Sequence, residues 1–151
     1  MFEVVSVKWI RYVNVILKDG KVIKVKFDNH PLNEKIRSDT AKRLKIDLNE
    51  YFQGIKIDFK EYEVVFPTGF TAKVLGEVRK IKYGEVKTYK EIAERIGTSC
   101  RAVGQALKRN PAPIIIPCHR VVAKNGLGGY SAGIEIKKEL LKLEGINILS
   151  L

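Results

Sequence analysis

The sequence predicts an α/β (α+β) chain in two parts: a small antiparallel sheet with helices over residues 1–61, and a helical part of helix-turn-helix type over 62–151. Three observations predict it. Short β-branched segments with partial apolar alternation fill the first third. From Asn33 onward the apolar spacing becomes helical. Near residue 98, two short amphipathic segments flank a three-residue turn, Gly97-Thr98-Ser99.

Taken in order, "FEVVSVKW", "YVNVILK" and "VIKVKF" read as strands, with Asp19-Gly20 as a hairpin turn between the last two. Ile36, Thr40 and Leu44 suit a polar helix. Asp47 is expected to cap a second short helix that buries Leu48, Tyr51 and Phe52. "GIKIDF" is expected to return to the sheet, and "KEYEVVFPTGF" to connect the two parts, broken by Pro67 and Gly69. Val74, Leu75, Val78 and Ile81 stripe a helix ending before Gly84. In "TYKEIAERIG", Thr88 and Glu91 form a capping box and Gly97 stops the helix. The next helix is read as "CRAVGQALKRN". Ala102, Val103, Ala106 and Leu107 are its apolar stripe, and Arg101, Gly104, Gln105 and Lys108 lie on another face with Arg109 beside them.

Composition bounds the function. Of 151 residues 45% are apolar, enough for a core. No apolar run reaches a membrane span, and the N-terminus lacks the layout of a signal peptide. Two cysteines, Cys100 and Cys118, make no disulfide framework, so a reducing cytoplasm is expected. Lysine and arginine number 28 against 17 acids, a formal charge of +11. That excess suits a polyanionic partner, most simply nucleic acid. It also suits a solvated, lysine-rich surface of a heat-adapted protein. The basic face with Gly104 inside it favours a helix facing DNA. Glycine there costs about 0.8–1 kcal/mol relative to alanine but permits close backbone approach.

"IIIPCHRVVAKNGLGGYSAG" at 114–133 places Cys118 beside His119, ahead of a glycine-rich loop. A free cysteine is often simply buried; beside a base it is a candidate nucleophile. Adjacent residues of a strand face opposite ways, so the chain must turn at Cys118, and a helix start there would lower the thiol pKa. No zinc-ligand spacing exists, and His30, before Pro31, receives no role. In "GIEIKKELLKLEG", Glu144 falls on the inward stripe with Ile136 and Leu140, at the helix end where the dipole disfavours an anion. Either it serves a site or the end is solvated.

Together, "IPCHRVV" at 116–122, "RAVGQAL" at 101–107, "NP" at 110–111, "GYSAG" at 129–133 and "LLKLEG" at 140–145 resemble, in order and spacing, the O6-alkylguanine-DNA alkyltransferases. The resemblance spans about residues 65–150, with the first 60 alike only in architecture. It implies an RNase H-like N-terminal part and a winged-helix C-terminal part. It further implies transfer of the alkyl group of O6-alkylguanine, and less readily O4-alkylthymine, from double-stranded DNA to Cys118 by base flipping. His119 would act through water as the base and Glu144 would orient it. Tyr89 would protonate the departing guanine, and Asn110 would brace the turn before the active-site loop. Arg101 would fill the space of the flipped nucleotide, and Ala102 and Gly104 would approach the minor groove, with Lys108 and Arg109 on the same basic face. Tyr130 and Ser131 would line the guanine pocket, which Ala132 could narrow, and the carbonyls of Cys118 and Val121 would read the base's amine. The chain would be monomeric, without cofactor or metal and without a membrane partner. Close packing around Cys118 would make an added alkyl group destabilising. Two other readings of the same residues are a Cys-His-Glu hydrolase, which would turn over, and a helix-turn-helix regulator with an inert cysteine.

Overall fold

A computed structural model describes all residues, Met1–Leu151, and the chain divides into two compact units, Met1–Val65 and Phe66–Leu151. The first unit extends past residue 61 because Val22 accepts from Val65 N–H and donates to the Glu63 carbonyl, both at 2.8 Å. Those two bonds tie the presumed connector to the sheet.

Three strands, β1 (Phe2–Lys8), β2 (Tyr12–Lys18) and β3 (Lys21–Asp28), form an antiparallel sheet in the order β1-β2-β3. Asp19 and Gly20 both have positive φ, 51° and 78°, the geometry that a two-residue hairpin turn requires. Strand alternation buries Glu3, Val5 and Val7 of β1 on one face. Helix α1 (Asp39–Phe52) presents Ala41, Leu44, Leu48 and Tyr51 to the core of this unit. Buried Glu3 accepts from the backbone N–H groups of Arg37 and Ser38 and from the Ser38 hydroxyl, at 2.7–2.8 Å. Ser38 in turn caps α1.

Three expectations for this unit fail. Ile36 lies before α1, which begins at Asp39 behind its Ser38 cap, so helical structure does not start at Asn33. Asp47 does not start a second helix; α1 runs through it, and its carboxylate accepts from the Tyr62 hydroxyl at 2.6 Å. "GIKIDF" does not rejoin the sheet, because Phe59 turns in to meet the rings of Tyr51 and Tyr62, and Val64 makes the bridge to β3 instead.

The second unit is helical. Helix α2 (Gly69–Val78) ends three residues before Ile81, which is buried beyond the helix with Val74, Leu75 and Val78. β4 (Lys87–Thr88) leads into α3 (Tyr89–Ile96), where the Thr88–Glu91 capping box is present and Gly97 closes the helix at φ 83°. Helix α4 (Cys100–Leu107) follows, capped by Ser99. Lys108 and Arg109 lie beyond it rather than within it: Arg109 and Asn110 N–H bond back three residues, to Ala106 and Leu107, and Pro111 follows. A single 3-10 turn at Cys118–Arg120 precedes β5 (Val121–Val122), which pairs in parallel with β4. Helix α5 (Ile134–Leu143) buries Ile136, Lys137, Leu140 and Leu141. No helix is long and apolar enough to cross a membrane.

Candidate active site

The β4–β5 pair sets the site. Lys87 sits opposite Val121 and Thr88 opposite Val122, so Tyr89, the first residue of α3, lies beside the turn that carries Cys118. Asn110 ties α4 to the same turn: its side-chain amide donates to the Ile116 carbonyl and its oxygen accepts from Ala112 N–H, each at 3.0 Å. The buried run Ile114–Ile116 delivers Cys118, with Ile114 at φ 76°, a strained conformation for a β-branched residue.

A cavity of about 800 Å³ opens here. Tyr89, Arg101, Gly104, Lys108, Asn110, Cys118, Tyr130, Ser131 and Ala132 all line it, as does Cys100. Ala102, Arg109 and Val121 are not among its walls. Ala102 is half-buried on α4, Arg109 is exposed past its end, and Val121 is buried in β5. Cys118, 8% exposed, lies on the wall of this cavity. Nothing lies within 4 Å of where a Gly104 side chain would begin, so no packing inside the chain offsets the cost of a glycine in α4.

His119 and Glu144 are both buried, and His119 Nε2 lies 2.7 Å from Glu144 Oε2. The solvated-end reading of Glu144 is therefore wrong. Its Oε1 also accepts from Gly84 N–H at 3.1 Å, and both oxygens accept from Arg120. Burial would raise the Glu144 pKa, but His119 and Arg120 together hold it far below the usual carboxylate range. An ionised carboxylate only accepts, so the His119 proton sits on Nε2. Burial pushes the His119 pKa down; Glu144 opposes this, while Arg120 and Lys137 reinforce it, and the ring is neutral at pH 7.

Burial likewise pushes the Cys118 thiol up, despite hydrogen bonds from Asn110 and Tyr130 and the nearby Lys137 ammonium. This corrects the expectation of a thiol acidified by a helix start. One 3-10 turn is too short to offset desolvation, and the resting pair is thiol and neutral imidazole. The Tyr89 pKa is raised, first by burial and then by the Cys118 sulfur, against a hydrogen bond from Gly129 N–H. Tyr89 is thus protonated at neutral pH. Gly128 lies so near it that an added Cβ would stand 2.7 Å from the ring and 2.9 Å from the hydroxyl.

Two residues at the site escaped sequence reasoning. Lys137 is fully buried, donating to the carbonyls of Val121 at 2.7 Å and Gly129 at 3.0 Å. Burial lowers its pKa to about 8. Its place seven residues before Glu144 on the inward stripe was the available signal. Arg120, also buried, was hidden inside the Cys-His motif. No cluster of metal-ligating side chains is present. Charge is concentrated in this unit, which holds 15 of the 28 basic residues but 7 of the 17 acidic ones.

Residues 69–146 match the family model of the 6-O-methylguanine DNA methyltransferase DNA-binding domain. A methylated-DNA–protein-cysteine methyltransferase of Sulfolobus acidocaldarius is 56% identical over 68% of this chain and 66% of its own length. One of Archaeoglobus fulgidus is 43% identical over 93% of this chain and 98% of its own. Among solved structures, Mycobacterium tuberculosis OGT in complex with DNA superposes with TM-score 0.78 and 30% identity, covering 95% of this chain and 92% of that one. With its Cys-His turn, helix pair and buried carboxylate in the matched region, the chain belongs to the O6-methylguanine-DNA (methylated-DNA–protein-cysteine) methyltransferase family.

Proposed function

We propose that Cys118 is the alkyl acceptor of this chain and that the groups around it divide the proton transfers between them. As a member of its family the chain is a DNA repair methyltransferase that moves the alkyl group of O6-alkylguanine in DNA onto a cysteine of its own. The observation that carries the assignment to Cys118 is its place on a cavity walled by the helix pair and the glycine-rich loop, next to the buried His119–Glu144 pair.

In the reaction, His119 Nδ1 takes the Cys118 proton through a water, and Glu144 stabilises the imidazolium that forms. The sulfur attacks the alkyl carbon, an S–C bond forms, and the bond from carbon to guanine O6 breaks with its electron pair leaving on the base. Tyr89 supplies the base with a proton and is reprotonated from the His119 side. The net change is thiol plus alkylguanine to thioether plus guanine. Neither imidazole nor carboxylate can hydrolyse a thioether, so each molecule reacts once.

Arg101, exposed on the first turn of α4 and on the cavity wall, fills the gap left by the flipped nucleotide. The open space at Gly104 lets α4 approach the minor groove, with Ala102, Lys108 and Arg109 flanking it. Tyr130, Ser131 and Ala132 bound the guanine pocket. The carbonyls of Cys118 and Val121 receive the base's amine; that of Val121 already accepts from Lys137. O4-alkylthymine is a poorer substrate, the chain acts as a monomer, and a reducing cytoplasm keeps its thiol free.

The test is intact mass after incubation with a duplex containing O6-methylguanine. One methyl gained, once, on Cys118 and absent in Cys118→Ala, is expected. Turnover on acyl substrates would favour a hydrolase, and binding without a covalent product a regulator. Either result refutes the assignment, as does a methyl on Cys100.

A further inference from the structure

Glu144 serves two cationic partners at once. Its Oε2 faces His119 Nε2 at 2.7 Å and Arg120 Nη2 at 3.0 Å. Its Oε1 accepts from Arg120 Nε at 2.9 Å and from Gly84 N–H at 3.1 Å. An ionised carboxylate has about four lone-pair sites, and all are taken. The guanidinium is held just as firmly: Nη1 donates to the Ile81 carbonyl at 2.7 Å, and the group lies 5.9 Å from the Tyr83 ring centroid. Arg120 is 6% exposed. A bidentate guanidinium–carboxylate pair in such a place is strong and stiff.

A lone carboxylate beside a buried histidine would favour the imidazolium. Here the guanidinium has already neutralised the carboxylate. The other charged or titratable groups around His119 are Lys137 from α5, Cys118 in its own turn, and Tyr83 before β4, beside Arg120 and Glu144. Lys137 is a second cation. His119 therefore sits among two permanent or near-permanent positive charges and one shared negative charge.

We propose that Arg120 is a positioning residue of the alkyl-transfer site: by sharing Glu144 it keeps His119 neutral at rest, proton on Nε2, until the thiol yields its proton. This rests on the relay proposed above. The arrangement has a chemical consequence. The resting cysteine keeps its proton until the relay takes it. The imidazolium formed during transfer, pressed by two cations, readily passes its proton on.

The experiment is an NMR titration of the His119 ring in the full chain, with pH–rate profiles of transfer from an O6-methylguanine duplex. In the unsubstituted protein, the His119 midpoint should lie below the ordinary value of about 6.5. A midpoint at or above that value overturns the proposal without any variant. In Arg120→Gln, which is neutral but still a donor, the midpoint should rise by about one unit, with a loss of rate that approaches tenfold only below both midpoints and vanishes at higher pH. Arg120→Lys, which keeps the charge, should restore the midpoint; Glu144→Gln should lower it. A merely structural arginine would leave the midpoint unmoved in folded Arg120→Gln, or shift it equally in Arg120→Lys, and either result refutes the role. Absence of methyl gain by the unsubstituted protein instead refutes the alkyl-acceptor reading, whatever the titration shows.

Discussion

Replacing Lys137 with methionine should change how stability depends on pH far more than stability at neutrality. The ammonium is fully buried with two carbonyl partners, and burial lowers its pKa from 10.5 to about 8. The sign follows from linkage. Between these values the unfolded chain holds a proton that the folded chain has released, so stability rises with pH across this window. Two and a half pH units correspond to about 3 kcal/mol. For a chain of this size, each kcal/mol moves Tm by roughly 2–4 °C. Methionine removes the cost of burying a charge, but it leaves the Val121 and Gly129 carbonyls without this donor, at about 1–3 kcal/mol each. The two effects oppose each other, so the variant should melt within several degrees of the parent at pH 7. The assay is thermal melting of both proteins at intervals from pH 7 to 10.5. The parent's advantage should grow by about 6–12 °C over that range, because the other groups titrating there cancel in the difference. A difference that stays flat would mean that folded and unfolded chains release this proton at the same pH, so that Lys137 is less buried than its contacts imply, and the reasoning would fail.

Other expectations can be checked alongside. Glu144→Gln leaves the Arg120 guanidinium buried without its carboxylate, a loss of about 3–5 kcal/mol that calorimetry at pH 7 would register. Because the Glu144 pKa is depressed, its contribution is present above the ordinary carboxylate value of 4.5 and fades as pH falls below it, so the gap between parent and variant should narrow in acid. Single-turnover transfer by the same variant should slow by about 10²–10⁴, the range of general acid–base effects; an unchanged rate would remove Glu144 from the relay. Arg101→Ala should impair repair of duplex DNA far more than reaction with a free alkylguanine, and equal losses on both would place Arg101 in the fold or pocket instead. Gly128→Ala should displace the Tyr89 ring, which stands 2.7 Å from the new methyl carbon, slowing transfer while Cys118 stays open to small thiol reagents. Normal transfer would show that the loop yields freely.

Much of this was legible because its physics is local. The strand alternation of β1–β3, the Asp19-Gly20 turn, the Thr88–Glu91 capping box and the Gly97 stop all depend on neighbours within a few residues, and each stands where expected. The Cys-His turn, the helix pair and the inward Glu144 were visible for the same reason. Where long-range contacts decide, the sequence misled. Asp47 looked like a cap until Tyr62, fifteen residues on, took its carboxylate. "GIKIDF" has the composition of a strand, but Phe59 finds two rings to pack on, and pairing is left to Val64. The site's electrostatics lay wholly beyond local reading. Whether Cys118 rests as thiol or thiolate, and His119 as imidazole or imidazolium, depends on desolvation and on the two buried cations, Arg120 and Lys137. A sequence displays charges but not the medium around them, and only the folded interior turns these two ordinary basic residues into determinants of where the proton sits.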